Sequence, residues 1–355
     1  MRFGIVGLGW AAQAFHVPAV RAIPGAEILG GCDPSEEQRA AFASATKLPT
    51  YASLAELLEQ GRPDVVVIAT PPSSHRDLCI EALRGGAHVI CEKPFVETVA
   101  EADEVIAAAT EAGRRVAINH QYRQKPVFRA VKERIGAADV GEIAFCQISQ
   151  LMDLTPWDEP VAWRRAMPNR TLFEGGVHLV DLMLMLYGET PEAVYARHSP
   201  GLDQTKNADA IHLVLLEFSG GRLAQITIDR LCKSGTRYIE LRVDCEHASL
   251  RASHGGRVFL QIGMKRAGRA GARLIYGLGG VAWEERGTSR RSLGRNPRNP
   301  GIVATKELFR LASLAFAEGL EPPSSAREAR EGLRVIEAAY RSAATGERIV
   351  LPTDG

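Results

Sequence analysis

Arg2-Phe3-Gly4-Ile5-Val6-Gly7-Leu8-Gly9-Trp10-Ala11-Ala12 is the stretch that decides the fold. Residues 2–6 are an apolar run of strand length, and an amphipathic stretch over 11–22 follows. Between them Gly7, Gly9 and Ala12 spell GxGxxA, an accepted form of the dinucleotide fingerprint. Gly7 permits the tight turn, Gly9 lets backbone amides approach a pyrophosphate, and Ala12 lets helix and sheet pack closely. A helix that opens there offers unpaired N–H groups and a positive dipole end to phosphate. Glycine turns are common, so the motif alone is weak; its strand-before, helix-after context gives it weight. Asp33 adds to it, 24 residues beyond Gly9 at the end of the next apolar run. A carboxylate there accepts from the adenosine ribose hydroxyls and repels a 2′-phosphate, which favours NAD over NADP. Asp33 before Pro34 is also compatible with a helix N-cap.

Outward from this stretch, short apolar runs alternate with amphipathic ones through residue 118. Strands are expected over 2–6, 27–32, 64–69, 87–91 and 115–118, and helices over 11–22, 35–44, 53–60, 73–84 and 98–112. The run Asp64-Val65-Val66-Val67-Ile68-Ala69 fits a strand covered on both faces of a parallel sheet. The order predicts a doubly wound α/β domain over 1–121. The pattern then changes. After a helix near 126–135 come partly alternating segments at 142–151, 209–218, 222–229, 238–244 and 257–262, with turns such as Ser219-Gly220-Gly221. They predict a mostly antiparallel sheet in an α+β domain over 122–355, closed by helices at 303–318 and 325–344.

Residues 263–300 carry nine basic side chains (Lys265, Arg266, Arg269, Arg273, Arg286, Arg290, Arg291, Arg295, Arg298) against Glu284 and Glu285. They are read as a mobile solvated loop, with a lid or clamp for an anionic substrate or a subunit partner as the sharper alternative.

The composition is that of an ordinary globular chain: 355 residues, 45% hydrophobic, 24% charged, net charge +1. Such a balance favours neither nucleic acid nor an anionic membrane. Six scattered cysteines without metal spacing read as small buried side chains in a reducing, cytoplasmic setting. The uncharged run 3–15 after Arg2 resembles a short secretory leader, but its glycine spacing serves a nucleotide turn better. No apolar run approaches the ~18 residues of a membrane span.

Two further motifs fall at carboxyl ends of strands, where open α/β sheets bind ligands. Ala69-Thr70-Pro71-Pro72 follows the valine-rich strand, with His75 shortly after, and Glu92-Lys93-Pro94 follows the strand ending at Cys91. With GLGWAA, ATPPSSH, CEKPF, Trp163-Arg164, GGVHLVDL and the tail Tyr340-Arg341-Ser342-Ala343-Ala344-Thr345-Gly346, the chain resembles the Gfo/Idh/MocA oxidoreductases over nearly its whole length. The resemblance implies a Rossmann domain plus a second domain whose open sheet face builds dimers or tetramers. It implies NAD(P)-dependent hydride transfer at a carbon of a sugar, cyclitol or related polyol. It places Lys93 beside the nicotinamide and the reacting hydroxyl, and has Glu92 help hold the cofactor. A helical DxxxH pair supplies the second acid/base group; here the matching residues are Glu174 and His178.

The chemistry agrees with these roles. Hydride removal from a carbinol requires the hydroxyl proton to leave, and a positioned His or Lys takes it. A lysine base needs burial or a cationic neighbour to bring down its usual value near ~10.4, whereas as a cation it stabilises an alkoxide. A histidine near ~6.5 needs less tuning. Residues four apart on a helix share a face, so Glu174 either orients His178 or faces substrate beside it. Glutamate replaces the family's usual aspartate, which changes substrate register.

The remaining candidates carry open roles. Ala69, Thr70, Pro71 and His75 are expected near the cofactor, with Trp10 and Ala11 at its phosphate turn. Gln121 is the favoured pocket contact among His120, Gln121, Tyr122 and Arg123. Trp163 and Arg164 touch cofactor phosphate or substrate, or pack structurally. His16 is read as packing in the first helix and Asp181 as structural; Glu174, His178 and Asp181 lack a further ligand, so no metal is expected. Two alternatives stand beside the dehydrogenase: an NAD-retaining lyase or glycosidase using transient oxidation, and a non-catalytic ligand sensor.

Overall fold

The computed structural model describes residues 1–153, 167, 169–201, 209–233, 238–255 and 280–352. They form two units. The first comprises 1–125, 180–182 and 297–337; the second comprises 126–179, 183–296 and 338–355.

Six parallel strands build the first unit: β1 (Arg2–Val6), β2 (Glu27–Cys32), β3 (Thr50–Tyr51), β4 (Val65–Ile68), β5 (His88–Cys91) and β6 (Val116–Ile118). Their order is β3-β2-β1-β4-β5-β6, the arrangement of a Rossmann sheet, with β1 between β2 and β4. Every residue of β4 is buried, as its unbroken apolar run requires. The leader-like run after Arg2 supplies β1 and the turn beyond it. The first helix contains a widened π turn at Ala12–His16 and continues as α over Val17–Arg21.

The core around Phe3, Ile5, Leu8 and Phe42 is completed by Leu308, Phe309, Ala312 and Phe316 from the late helix Pro300–Ala317. The sequence reading kept 122–355 together. The structure returns 297–337 to the first unit because that helix has an apolar face which this core covers.

The second unit is organised on a nine-stranded sheet. Its strands are β7 (Ile143–Leu151), β8 (Ala193–Ser199), β9 (Ile211–Glu217), β10 (Leu223–Asp229), β11 (Ile239–Cys245), β12 (Ser249–His254), β13 (Val281–Arg286), β14 (Ser289–Arg295) and β15 (Ile349–Val350). The order is β14-β13-β12-β11-β7-β10-β9-β8-β15, antiparallel except between β7 and β10. One face of β9 and β10 is buried, whereas Leu213 and Leu223 on the other are 48% and 38% exposed.

Part of the basic segment departs from the loop expected for it. Residues 281–295 are the β13–β14 hairpin, turned at Gly287. Both of its carboxylates are paired: buried Glu284 accepts from Arg134, Arg286 and Arg291, and Glu285 from Arg251, Arg290 and Trp283. A charged strand suits a sheet edge, where it discourages pairing with another chain. The strand expected at 257–262 and the remainder of the basic segment, 263–279, lie outside the described residues. All six cysteines are free thiols, four of them buried. No described helix is long and apolar enough to cross a membrane.

Candidate active site

The turn after β1 is built as the fingerprint requires. Gly7 has φ +84°, and its N–H donates to the Cys32 carbonyl at 2.9 Å. A Cβ on Gly7 would meet the Ala69 carbonyl oxygen and Thr70 Cγ2 at 2.8 Å each. The turn therefore rests directly on the loop after β4. At Gly9 a Cβ would meet nothing within 4 Å, so this side of the turn is open. Ala12 is fully buried, Ala11 partly exposed, and Trp10 is 71% exposed with its ring edge-on to Phe15. Asp33 is held from two sides: Leu8 N–H donates to Oδ2 at 3.0 Å and Ser35 N–H to Oδ1 at 2.9 Å. The N-cap of the next helix, Glu36–Thr46, is Ser35 rather than Asp33. Asp33 is thus tied to the nucleotide turn, with lone pairs left for ribose hydroxyls. The open side of Gly9, the helix start and this carboxylate together fit a dinucleotide.

The loops after β4 and β5 hold the next group of candidates. Ala69, Thr70 and Pro71 retain exposure, and Ser74 Oγ donates to Thr70 Oγ1 at 2.7 Å. His75 is fully buried, and its ring nitrogens face backbone carbonyls of both loops. It supports the loops from behind. Glu92 is clamped by three groups. His16 Nε2 lies 3.0 Å from Oε1, Asn119 Nδ2 donates to the same oxygen at 2.7 Å, and Lys93 N–H donates to Oε2 at 3.1 Å. Burial by itself would raise the Glu92 pKa. The His16 contact, with Asn119 and Lys93, overrides it and holds the carboxyl at about 2. His16 itself stacks on Phe309. Lys93 follows directly, partly exposed, and its peptide bond to Pro94 is cis.

In the second unit, Glu174 lies in a widened turn, Thr171–Gly176, that continues as the helix Val177–Tyr187 bearing His178. Both side chains are mostly buried. Glu174 Oε2 lies 3.6 Å from Arg230 Nη2, and Arg230 also donates to the Thr171 carbonyl at 3.1 Å. A Cβ on Gly175 would sit 2.4 Å from that guanidinium, so a side chain there would displace Arg230 from its present position. The start of this turn is anchored by Asp209, whose Oδ2 accepts from Thr171 N–H at 2.9 Å and lies 2.8 Å from the Tyr340 hydroxyl. Tyr340 also accepts from Leu172 N–H at 3.1 Å. This gives a physical role to the tail motif that begins at Tyr340.

Sequence reasoning missed Arg230, Asp209, Asn119 and the part played by His16. Each acts through a partner distant in the chain, and no local spacing announces that. Gln121 accepts from Thr305 Oγ1 at 2.8 Å, so its oxygen ties the late helix. Asp181 binds Arg123 through both oxygens at 2.8–2.9 Å and lies 3.2 Å from His120 Nδ1, all within the first unit. Burial would raise the Asp181 pKa, but Arg123 and His120 hold it near about 2. Among the described residues no group of His, Cys, Asp and Glu is arranged to hold a metal. Trp163 and Arg164 lie outside the described residues.

Two family models match the chain. Residues 1–120 match a model described as the oxidoreductase family with an NAD-binding Rossmann fold, and residues 128–251 match the GFO/IDH/MocA C-terminal domain. The chain belongs to the Gfo/Idh/MocA oxidoreductases. Like them it is an NAD(P)-dependent oxidoreductase, with an NAD-binding Rossmann fold. Among relatives of this family, 1,5-anhydro-D-fructose reductase of Ensifer adhaerens is 29% identical over 63% of this chain and 68% of its own length. D-apiose dehydrogenase of Paraburkholderia graminis is 26% identical over 98% of this chain and 88% of its own. The crystal structure of aldose-aldose oxidoreductase from Caulobacter crescentus, complexed with glycerol, shares the fold. It has a TM-score of 0.82 and 22% identity over 99% of each chain.

Proposed function

We propose that this Gfo/Idh/MocA oxidoreductase transfers hydride between NAD and a carbinol carbon of a sugar, cyclitol or related polyol. The observation that carries this reading is the clamped Glu92, which fixes Lys93 at the carboxyl end of β5. The turn of Gly7 and the loop of Thr70 supply the neighbouring strand ends. Relatives that act on anhydrofructose and apiose support the substrate class.

NAD, when bound, supplies the hydride acceptor. The amides that open the first helix and the turn at Gly9 hold its phosphates. Asp33 accepts from ribose hydroxyls and disfavours a 2′-phosphate. Lys93 is the group we assign to the reacting hydroxyl, as proton carrier or as the cation that stabilises an alkoxide. His178 is the second acid/base group. Glu174, 3.6 Å from Arg230, is assigned the orientation of the site beside His178. A second copy of the chain is proposed to pack on the outward face of the second sheet, where Leu213 and Leu223 are exposed; sedimentation of L213E/L223E tests it by loss of the dimer or tetramer.

The deciding experiment is a panel of polyols and sugars, free and phosphorylated, followed by NADH absorbance with NAD and with NADP. K93M and H178Q are expected to lose about 10²–10⁴-fold in kcat while still binding NADH. A silent panel with NAD bound, or full activity in K93M, overturns the reading.

A further inference from the structure

Three backbone carbonyls converge on one buried imidazole. His75 opens the helix His75–Arg84 with its side chain enclosed. Its Nδ1 lies 2.9 Å from the carbonyl oxygens of both Pro94 and Phe95, and its Nε2 lies 2.8 Å from that of Thr70. A carbonyl oxygen only accepts, and a neutral imidazole has one N–H and one lone pair. Either neutral tautomer therefore sets a ring lone pair against a carbonyl lone pair at under 3 Å. Only a ring protonated at both nitrogens donates in both directions. Burial is the largest influence and on balance lowers the ring's pKa, against the three carbonyls and Glu92; what opposes it is the lone-pair clash that either neutral tautomer creates. The other titratable neighbours are Lys93 on the same loop and two buried thiols. Cys91 Sγ faces the Phe95 carbonyl, and burial keeps that thiol protonated; the Cys79 thiol is hydrogen-bonded to it.

The contacts form a chain. The Gly7 turn rests on Ala69 and Thr70, the Thr70 carbonyl lies against His75 Nε2, and His75 Nδ1 lies against the carbonyls of the two residues that follow Lys93. We propose that His75 is a buried imidazolium strap: a positioning residue that ties the 92–95 loop to the 69–72 loop and thereby fixes Lys93 relative to the nucleotide turn. The inference rests on the reading of Lys93 as an acid/base group. It differs from a cofactor contact, because both ring nitrogens are committed to the backbone.

The test has two arms. In the first, the ring nitrogens of His75 in 15N-labelled wild-type protein are observed by NMR, assigned through their side-chain carbons. Both are expected in the protonated range at pH 7, above the ordinary histidine value of ~6.5. One nitrogen in the lone-pair range overturns the strap. In the second arm, H75A is expected to lose on the order of 10²-fold in kcat, the cost of a misplacement of about 1 Å. H75Q, whose amide offers two N–H donors, is expected to recover at least about tenfold of it. An unchanged kcat in H75A, or no recovery in a folded H75Q, overturns the proposal. The failures are separable: a neutral ring sinks the strap whatever Lys93 does, and a fully active K93M sinks the Lys93 reading whatever the ring shows.

Discussion

Replacing Glu92 by glutamine tests the clamp at the centre of the first unit. The substitution keeps the shape and removes the charge that faces His16, Asn119 and the Lys93 amide. With the folded pKa at about 2 and an unfolded value near ~4.3, the carboxylate contributes about 3 kcal/mol to stability at pH 7. The sign follows from linkage. A depressed carboxyl pKa gives stability that is fully present above the unfolded value and is lost as pH falls through the folded one. E92Q is therefore expected to be less stable than wild type by about 3 kcal/mol at pH 7 and still so at pH 6. The gap shrinks to roughly half by pH 3. Urea unfolding of both proteins at these pH values, extrapolated to water, measures it. A gap that does not change with pH, or no gap at pH 7, would refute the argument that His16 and its partners stabilise the ionised form.

Other substitutions probe the remaining parts. G7A places a methyl 2.8 Å from the Ala69 oxygen at positive φ. It should weaken NADH binding at least about tenfold, the equivalent of the ~1–2 kcal/mol left-handed penalty alone; unchanged fluorescence titration would count against the cradle. D33S should shift the NADP/NAD ratio of kcat/KM upward by about tenfold or more, since it removes a repelling charge; steady-state kinetics with both cofactors measures it. R123M leaves Asp181 buried without its bidentate partner. A destabilisation of about 3–5 kcal/mol is expected in denaturant unfolding. E174D should withdraw the carboxylate from Arg230 and change kcat more than the affinity for NADH.

The Rossmann unit was readable because its elements are local. Val65–Ile68 is buried on both faces and reads as a continuous apolar run. The turn at Gly7 carries its own spacing, and the apolar stretches ending at Cys32 and Cys91 stop where acidic site residues begin. The strands of the second unit that alternate cleanly, such as Ile211–Glu217 and Leu223–Asp229, were equally visible. Residues 281–295 were not, because Glu284 and Glu285 neutralise arginines that are scattered along the sequence and converge only in the fold. The same holds for the site. Glu92, Lys93 and His178 stand in recognisable motifs. Arg230, Asp209 and Asn119 do not, because a buried partner leaves no periodic trace. His75 was placed near the cofactor, yet its geometry directs it to the backbone of two loops.

The late helix Pro300–Ala317 sets Leu308 and Phe309 into the same core as Phe3 and Ile5. A nascent chain that has emerged only as far as Gln121 holds all six parallel strands but lacks this cover. The nucleotide-binding portion therefore gains its full cover only after residues 300–317 have been synthesised. An expression fragment ending at Gln121 would expose a greasy flank and aggregate, whereas one in which residues 297–337 are joined back to it would close.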